Sequence, residues 1–258
     1  MNVTGVDAYA PAEIATRIEA VGVAKAKHPL LKLFMLSVLA GVFIGFGAAF
    51  YTVVVTNDGV GYGLSRLLGG MAFSLGLVLV VVGGAELFTG NNLIVMAWAD
   101  KRISTAALLR NWGVSYVGNA IGGLALAFAV YWSGVLDLGA SDATAIRLTE
   151  AKLALPPVEA FLRGALCNAL VCLAVWLSFA ARSVTDKILA IVFPITAFVA
   201  LGFEHSIANF YLIPVGLLAG AEGGVLSAAA NLIPVTLGNI VGGAGGVAGV
   251  YWVIYGRT

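Results

Sequence analysis

Apolar residues run along this chain in long blocks, and polar residues fall mainly between the blocks. A helix needs about 20 apolar residues to cross about 30 Å of hydrocarbon. Five stretches meet that requirement, 30–56, 111–132, 161–181, 187–218 and 232–254, and 67–98 makes a sixth. Two of the six, 67–98 and 187–218, are 32 residues each, too long for one crossing and too short for two. Each is expected to be one crossing with a break in it. Two flanking pieces are not spans. Residues 11–27 place Ile14, Ile18 and Val21 on one helical face, with Pro11 at the start and Lys25 and Lys27 at the end. They predict an amphipathic helix on the membrane surface, against the bundle, or acting as a gate. The stretch 133–157 is a long connection that ends in Pro156-Pro157 and contains Lys152.

Composition agrees with this pattern. Of 258 residues, 60% are hydrophobic and only 10% charged, and mean hydropathy is +0.99. An ordinary soluble domain is roughly 45–50% apolar and about 25% charged, so a water-soluble enzyme is excluded. The 33 glycines show no triplet period and accompany only seven prolines. That argues against collagen and disorder, and for helices that approach closely in a membrane. A net charge of +1 offers no basic field for nucleic acid. Cys167 and Cys172 lie in one apolar run, where a spacing of five turns them about 140° apart on a helix, so no mutual bridge is expected. The start carries Asp7 instead of a basic region, so no cleaved signal is expected and the first apolar segment should remain a span.

Basic residues set the orientation. Arg17, Lys25, Lys27, Lys32, Lys101, Arg102, Arg110, Arg182, Lys187 and Arg257 fall on one side of a six-span chain, ten of the 14 in all. Arg66, Arg147, Lys152 and Arg163 fall on the other. The positive-inside rule makes both termini cytoplasmic, in a multi-pass protein of the inner (plasma) membrane. The expected division is a cytoplasmic amphipathic helix in 1–29 and a six-span transmembrane domain in 30–258.

The interrupted spans match each other. Gly84-Ala85-Glu86-Leu87-Phe88-Thr89-Gly90-Asn91 and Gly202-Phe203-Glu204-His205-Ser206-Ile207-Ala208-Asn209 share G-x-E-x-x-x-[GA]-N. Gly118-Asn119-x-x-Gly122-Gly123 matches Gly238-Asn239-x-x-Gly242-Gly243, and the two offsets are 118 and 120 residues. The repeats, about 30–135 and 158–255, hold three spans each, so the second copy enters from the opposite side. The expected fold is therefore an all-α membrane protein, a 3+3 inverted repeat with helices two and five interrupted. Such repeats with paired broken helices place a transport pathway at mid-membrane.

Irregular backbone at membrane depth must face protein or a water-lined cavity, so both breaks face inward. Glu86 and Glu204 are intramembrane carboxylates and require partners. They either accept the N–H groups freed by their own breaks, as internal caps, or contact the solute. His205, the one histidine within a span, is a candidate proton donor or selectivity residue, with a satisfied structural imidazole as the bland reading. Thr89 at the opposed break is a candidate hydroxyl donor. Phe73, Leu77, Leu87, Phe88, Val171 and Phe198 are candidate apolar constrictions or simply packing residues. Asn119 and Asn239 are expected to make interhelical hydrogen bonds, and Asn168 fits either that role or the pathway. The sequence contains no metal-ligand spacing, nucleophile elbow or nucleotide loop, so no cofactor, metal or enzymatic activity is expected.

With interrupted spans two and five, GAELFTGNNL at 84–93 and GFEHSIANFYLIP at 202–214, the sequence resembles the formate/nitrite transporter family over nearly its whole length. The resemblance implies an aquaporin-like fold, a homopentamer with one pathway per protomer, and passive or proton-linked passage of small monovalent anions such as formate, nitrite or hydrosulfide. It further implies that Thr89 and His205 are paired central residues, that Lys152 lends positive potential near the histidine with Asn168 as its partner, and that the six apolar residues form constrictions. Lys101-Arg102-Ile103, Asn111-Trp112 and Tyr116 look closer to the formate branch. The alternative is a channel for a neutral solute such as ammonia, water or hydrogen sulfide, in which Lys152 and His205 are structural.

Overall fold

The computed structural model describes residues 8–56 and 58–256. Arg257 and Asp7, used above for orientation and for the signal argument, lie outside them. The described residues form helices and no strand. In chain order these are α1 (Pro11–Ala26), α2 (Leu30–Val54), α3 (Tyr62–Gly83), α4 (Val95–Ala99), α5 (Thr105–Trp132), α6 (Ser141–Leu153), α7 (Pro157–Ala180), α8 (Val184–Ala200), α9 (Ser206–Ala219), α10 (Val225–Ile240) and α11 (Val250–Tyr255). A 3-10 turn, Gly90–Ile94, leads into α4, and a π-helical stretch, Val241–Gly249, joins α10 to α11.

Five helical stretches are long and apolar enough to cross a membrane: α2, α3, α5, α7 and the continuous Val225–Tyr255. Segment 67–98 is interrupted after α3, which at 22 residues is already long enough for a crossing. Segment 187–218 is divided into α8 and α9, 17 and 14 residues. Helix starts carry local reasons. Pro157 opens α7 at a position where its missing N–H costs nothing. Ser104 Oγ caps α5 by accepting from Ala107 N–H at 3.2 Å, and Ser183 with Asp186 forms a reciprocal capping box on α8.

The helices pack mainly as α2 on α5, α2 on α3, α7 on α10 and α3 on α8. Glycine makes two of these contacts possible. A β-carbon on Gly122 of α5 would collide with the Val38 carbonyl of α2, and one on Gly238 of α10 with the Phe161 carbonyl of α7. Lipid tails offer no hydrophobic drive between helices, so close backbone approach carries the association. Outward faces stay apolar, with Leu31, Phe46, Leu162 and Ile233 exposed.

The flanking pieces are part of the bundle. Helix α1 buries Ile14, Ala15 and Ile18 against Leu93, Met96, Cys172 and Trp176, which selects packing over a surface location. The connection 133–157 holds a helix that the sequence reading left out: α6 buries Ser141, Thr144, Ala145 and Thr149. Its buried face is small and polar instead of apolar, so hydrophobic periodicity does not register it. Thr149 Oγ1 donates to the Leu212 carbonyl of α9 at 2.7 Å. The two cysteines are free and buried.

Candidate functional site

Both breaks begin at a glycine in the left-handed region, Gly84 with φ 82° and Gly202 with φ 72°. A side chain there would be strained, which is why each helix stops at these points. The freed backbone groups are then met in the same way twice. Glu86 N–H donates to the Leu36 carbonyl and Glu204 N–H to the Arg163 carbonyl, both at 3.2 Å. Phe88 N–H donates to Asn119 Oδ1 and Ser206 N–H to Asn239 Oδ1, both at 2.9 Å. Each asparagine also donates twice, Asn119 to the Ser37 and Glu86 carbonyls and Asn239 to those of Gly164 and Glu204. One buried amide thus replaces the missing helix at each break, the interhelical role expected of Asn119 and Asn239.

This corrects the internal-cap reading of the carboxylates. The N–H groups of the breaks go to neighbouring backbone carbonyls and to Asn119 and Asn239, and the acids pair with lysines. Glu86 Oε1 lies 3.0 Å from Lys25 Nζ, and its Oε2 accepts from Asn91 at 2.7 Å. Glu204 Oε1 lies 2.8 Å from Lys152 Nζ, and its Oε2 accepts from Asn209 at 2.7 Å. Asn91 also donates to Asn111 Oδ1, and Asn209 to Asn231 Oδ1. The amides of Asn111 and Asn231 then donate to the backbone carbonyls of Lys25 and Lys152. Two four-residue polar clusters result, one closed by the end of α1 and the other by the end of α6. A buried charge is tolerated only when paired and hydrogen-bonded in this way.

His205 and Thr89 meet between the clusters. His205 Nδ1 accepts from Ala208 N–H at 3.1 Å and so caps α9. That bond leaves the proton of a neutral imidazole on Nε2, 2.9 Å from Thr89 Oγ1. Asn168 donates to the carbonyls of Thr89, at 3.3 Å, and Asn239, at 2.6 Å. It therefore braces the central pair and does not partner Lys152, as the family resemblance had implied.

Two cavities approach this centre from opposite ends. One, about 540 Å³, is lined by Lys25, His28, Lys32, Lys187, Glu86 and Asn91 and reaches Leu77 and Leu87. The other, about 170 Å³, holds Arg66, Lys152, Arg163 and Glu204 and reaches Phe73, Phe198 and His205. Phe73 meets Phe198 edge-on at 5.5 Å between centroids, and Phe198 lies 6.0 Å from the His205 ring. Phe88 and Val171 line neither cavity; the Phe88 ring packs on Trp112 and Tyr116. Sequence reasoning missed Lys25, His28 and Arg66 as site residues. Asn91 and Asn209 stood in the repeated motif without being assigned a role.

The sequence pattern of the formate/nitrite transporter family matches residues 12–253. This chain belongs to the formate/nitrite transporter family. It is 42% identical to the Formate channel FocA of Escherichia coli strain K12, over 97% of this chain and 96% of that protein. It is also 42% identical to a Probable formate transporter of Methanothermobacter thermautotrophicus, over 95% and 96%. Among solved structures, a "Pentameric formate channel with formate bound" superposes with a TM-score of 0.81 at 42% identity, covering 88% of this chain and 98% of that one. An "FNT family ion channel" superposes at 0.86 with 27% identity, covering 94% and 98%. The chain is thus a formate/nitrite family anion channel.

Proposed function

We propose that the chain conducts formate, and nitrite or hydrosulfide less readily, across the inner membrane as one protomer of a pentamer. Formate and the pentamer are what the superposable formate channel is named for. Six crossings are made by α2, α3 with the Gly90–Ala99 half-helix, α5, α7, α8 with α9, and α10 with α11. Matched hydrogen bonds at both breaks support an inverted repeat. They also extend each copy to include its lysine helix, α1 for the first and α6 for the second. By the distribution of basic residues, α1 and both termini face the cytoplasm.

The single observation that carries the mechanism is the His205 Nε2–Thr89 Oγ1 contact at 2.9 Å, buried between two cavities that enter from opposite ends. A bare anion at mid-bilayer is costly and the neutral acid is not. A small carboxylic acid titrates at roughly 4, so at neutral pH it arrives ionised. Lysine-lined mouths draw it inward, the imidazole or a neighbouring water gives it a proton at the apolar waist and takes one back from the water of the mouth, and the acid crosses neutral. Thr89 orients the donor.

A second reading, passage of a neutral solute, is favoured by one observation: both lysines are already neutralised by carboxylates at 3.0 and 2.8 Å. Proteoliposome flux of formate and nitrite under a pH gradient separates the two. The anion reading expects formate flux that rises when the trans side is made alkaline. Absence of anion flux beside rapid, pH-indifferent ammonia passage overturns it.

A further inference from the structure

The α6-side mouth contains one cation whose role none of the preceding features explains. Arg66 lies on α3, yet its guanidinium reaches the end of α8: Nε donates to the Ala200 carbonyl at 3.0 Å and Nη2 to the Val199 carbonyl at 2.9 Å. Nη1 lies 3.5 Å from Tyr51 Oη. The last carbonyls of a helix have no intrahelical partner and carry the negative end of its dipole. Here that negative end faces the small cavity at the point where an anion enters. The other two cations lining the cavity are matched by acids, Lys152 by Glu204 at 2.8 Å and Arg163 by Glu159 at 3.1 Å. Among the described residues Arg66 is bonded to carbonyls and a phenol, so its charge is set against a helix end and not against a carboxylate.

The residue is also placed to hold geometry. Helix α8 carries Phe198, and its end leads through Gly202 to Glu204 and His205. A β-carbon on Gly202 would come within 3.0 Å of Arg66 Nη2, so the turn and the guanidinium fit against each other. The first break has no counterpart. At the 118-residue offset that aligns Gly84 with Gly202, Arg66 corresponds to Val184, which carries no donor.

We propose that Arg66 is a positioning and entry residue of the α6-side mouth. It pins the end of α8, and with it the Phe198–His205 segment, and it supplies the positive charge that makes this mouth accept an anion. The entry part rests on the anion-channel reading above; the pinning part does not.

Two measurements on the full chain in proteoliposomes test this. In the first, amide hydrogen exchange is followed at residues 199–205 and at 84–90. Arg66→Gln loses two hydrogen bonds from a charged group, so it should speed exchange at 199–205 about tenfold or more and leave 84–90 unchanged. In the second, formate uptake is measured from each side separately. Arg66→Gln should raise half-saturation from the α6 side about five- to tenfold, the loss expected when a mouth stops concentrating its anion, and leave the α1 side as it was. Arg66→Lys keeps the charge without the planar fork. It should restore half-saturation but not slow exchange, a split that a purely structural role would not produce. Should Arg66→Gln fail to assemble, Arg66→Lys decides: fast exchange with near-wild-type half-saturation supports the proposal, and wild-type exchange overturns it. Unchanged exchange in an assembled Arg66→Gln protein, or half-saturation raised equally from both sides, also overturns it. A wild-type protein that carries no formate removes the anion reading, and exchange at 199–205 still decides the pin.

Discussion

The break at Gly84 and the break at Gly202 are built alike and do different things. In both, a left-handed glycine ends a helix, a glutamate pairs with a lysine, and an asparagine from a neighbouring helix accepts an N–H four residues beyond that glycine. At the 118-residue offset, however, His205 stands where the first copy has Leu87, and Ile207 stands where it has Thr89. The residues that meet at the centre are therefore not symmetry mates. Each break keeps one polar residue and gives up the other, so the midpoint holds a single imidazole–hydroxyl pair. The shared residues solve the problem of irregular backbone away from water, and the residues that differ are those to which the proposed mechanism assigns the chemistry.

If the shared parts are structural, removing them should cost stability at both breaks, with the more buried side losing more. The Lys152 side chain is 14% exposed and that of Lys25 26%. Breaking a buried pair by deleting one partner costs about 3–5 kcal/mol. Lys152→Met should approach that figure in a denaturation midpoint and Lys25→Met should fall short of it. Equal losses would remove the distinction. Next, Asn119→Ala and Asn239→Ala each strand a buried N–H, worth about 1–3 kcal/mol apiece. Comparable destabilisation is expected, and a large loss at only one would show that the two scaffolds are not equivalent.

The differing residues should affect transport with little effect on assembly. His205→Leu makes the second break resemble the first. Loss of a polar partner at about 1.5–3 kcal/mol, with 1.4 kcal/mol per tenfold, predicts formate flux reduced about 10–100-fold in a protein that still assembles. Wild-type flux in that variant would detach the imidazole from transport.

The smallest effect concerns the mouths. His28 lines the α1-side cavity, whereas the residue at the Lys25-to-Lys152 offset of 127, Leu155, cannot titrate. Burial pushes the His28 imidazole below its usual 6.5, with nearby Lys32 and Lys25 adding to the shift and Glu86 opposing it. The folded state then binds fewer protons than the unfolded one just below 6.5, so the stability this residue contributes is complete above that pH and is lost as pH falls toward the depressed value. Melting temperature should drop slightly on acidification through 6.5 in the wild type, and less in His28→Gln. An identical drop in both would acquit His28.

Much of the site was legible in one dimension because it repeats. Glu86, Asn91 and Asn119 recur as Glu204, Asn209 and Asn239 at nearly constant offsets, and a repeated polar residue inside an apolar block has few explanations besides a shared structural need. Lys25 and Lys152 were not legible as a pair. They sit in helices of unlike sequence, one with an apolar face and the other with a buried face of Ser141, Thr144, Ala145 and Thr149. The same unlikeness hid α6 itself. Arg66 had no signal at all, since its partners are backbone carbonyls 133 and 134 residues away.

Apolar block length, glycine content and the doubled motif alone determined a helical membrane protein with two interrupted segments, because the hydrocarbon layer imposes those constraints on any chain that crosses it. Which atoms meet at the interruptions was decided only by packing. Glu86 could have capped its own turn; it was the end of α1, folded back onto the bundle, that brought Lys25 within 3.0 Å and left Asn119 to the backbone. Local sequence specifies where a helix must stop. The partner for each freed group is whatever the neighbouring helices carry to that depth, and that is a property of the assembled fold.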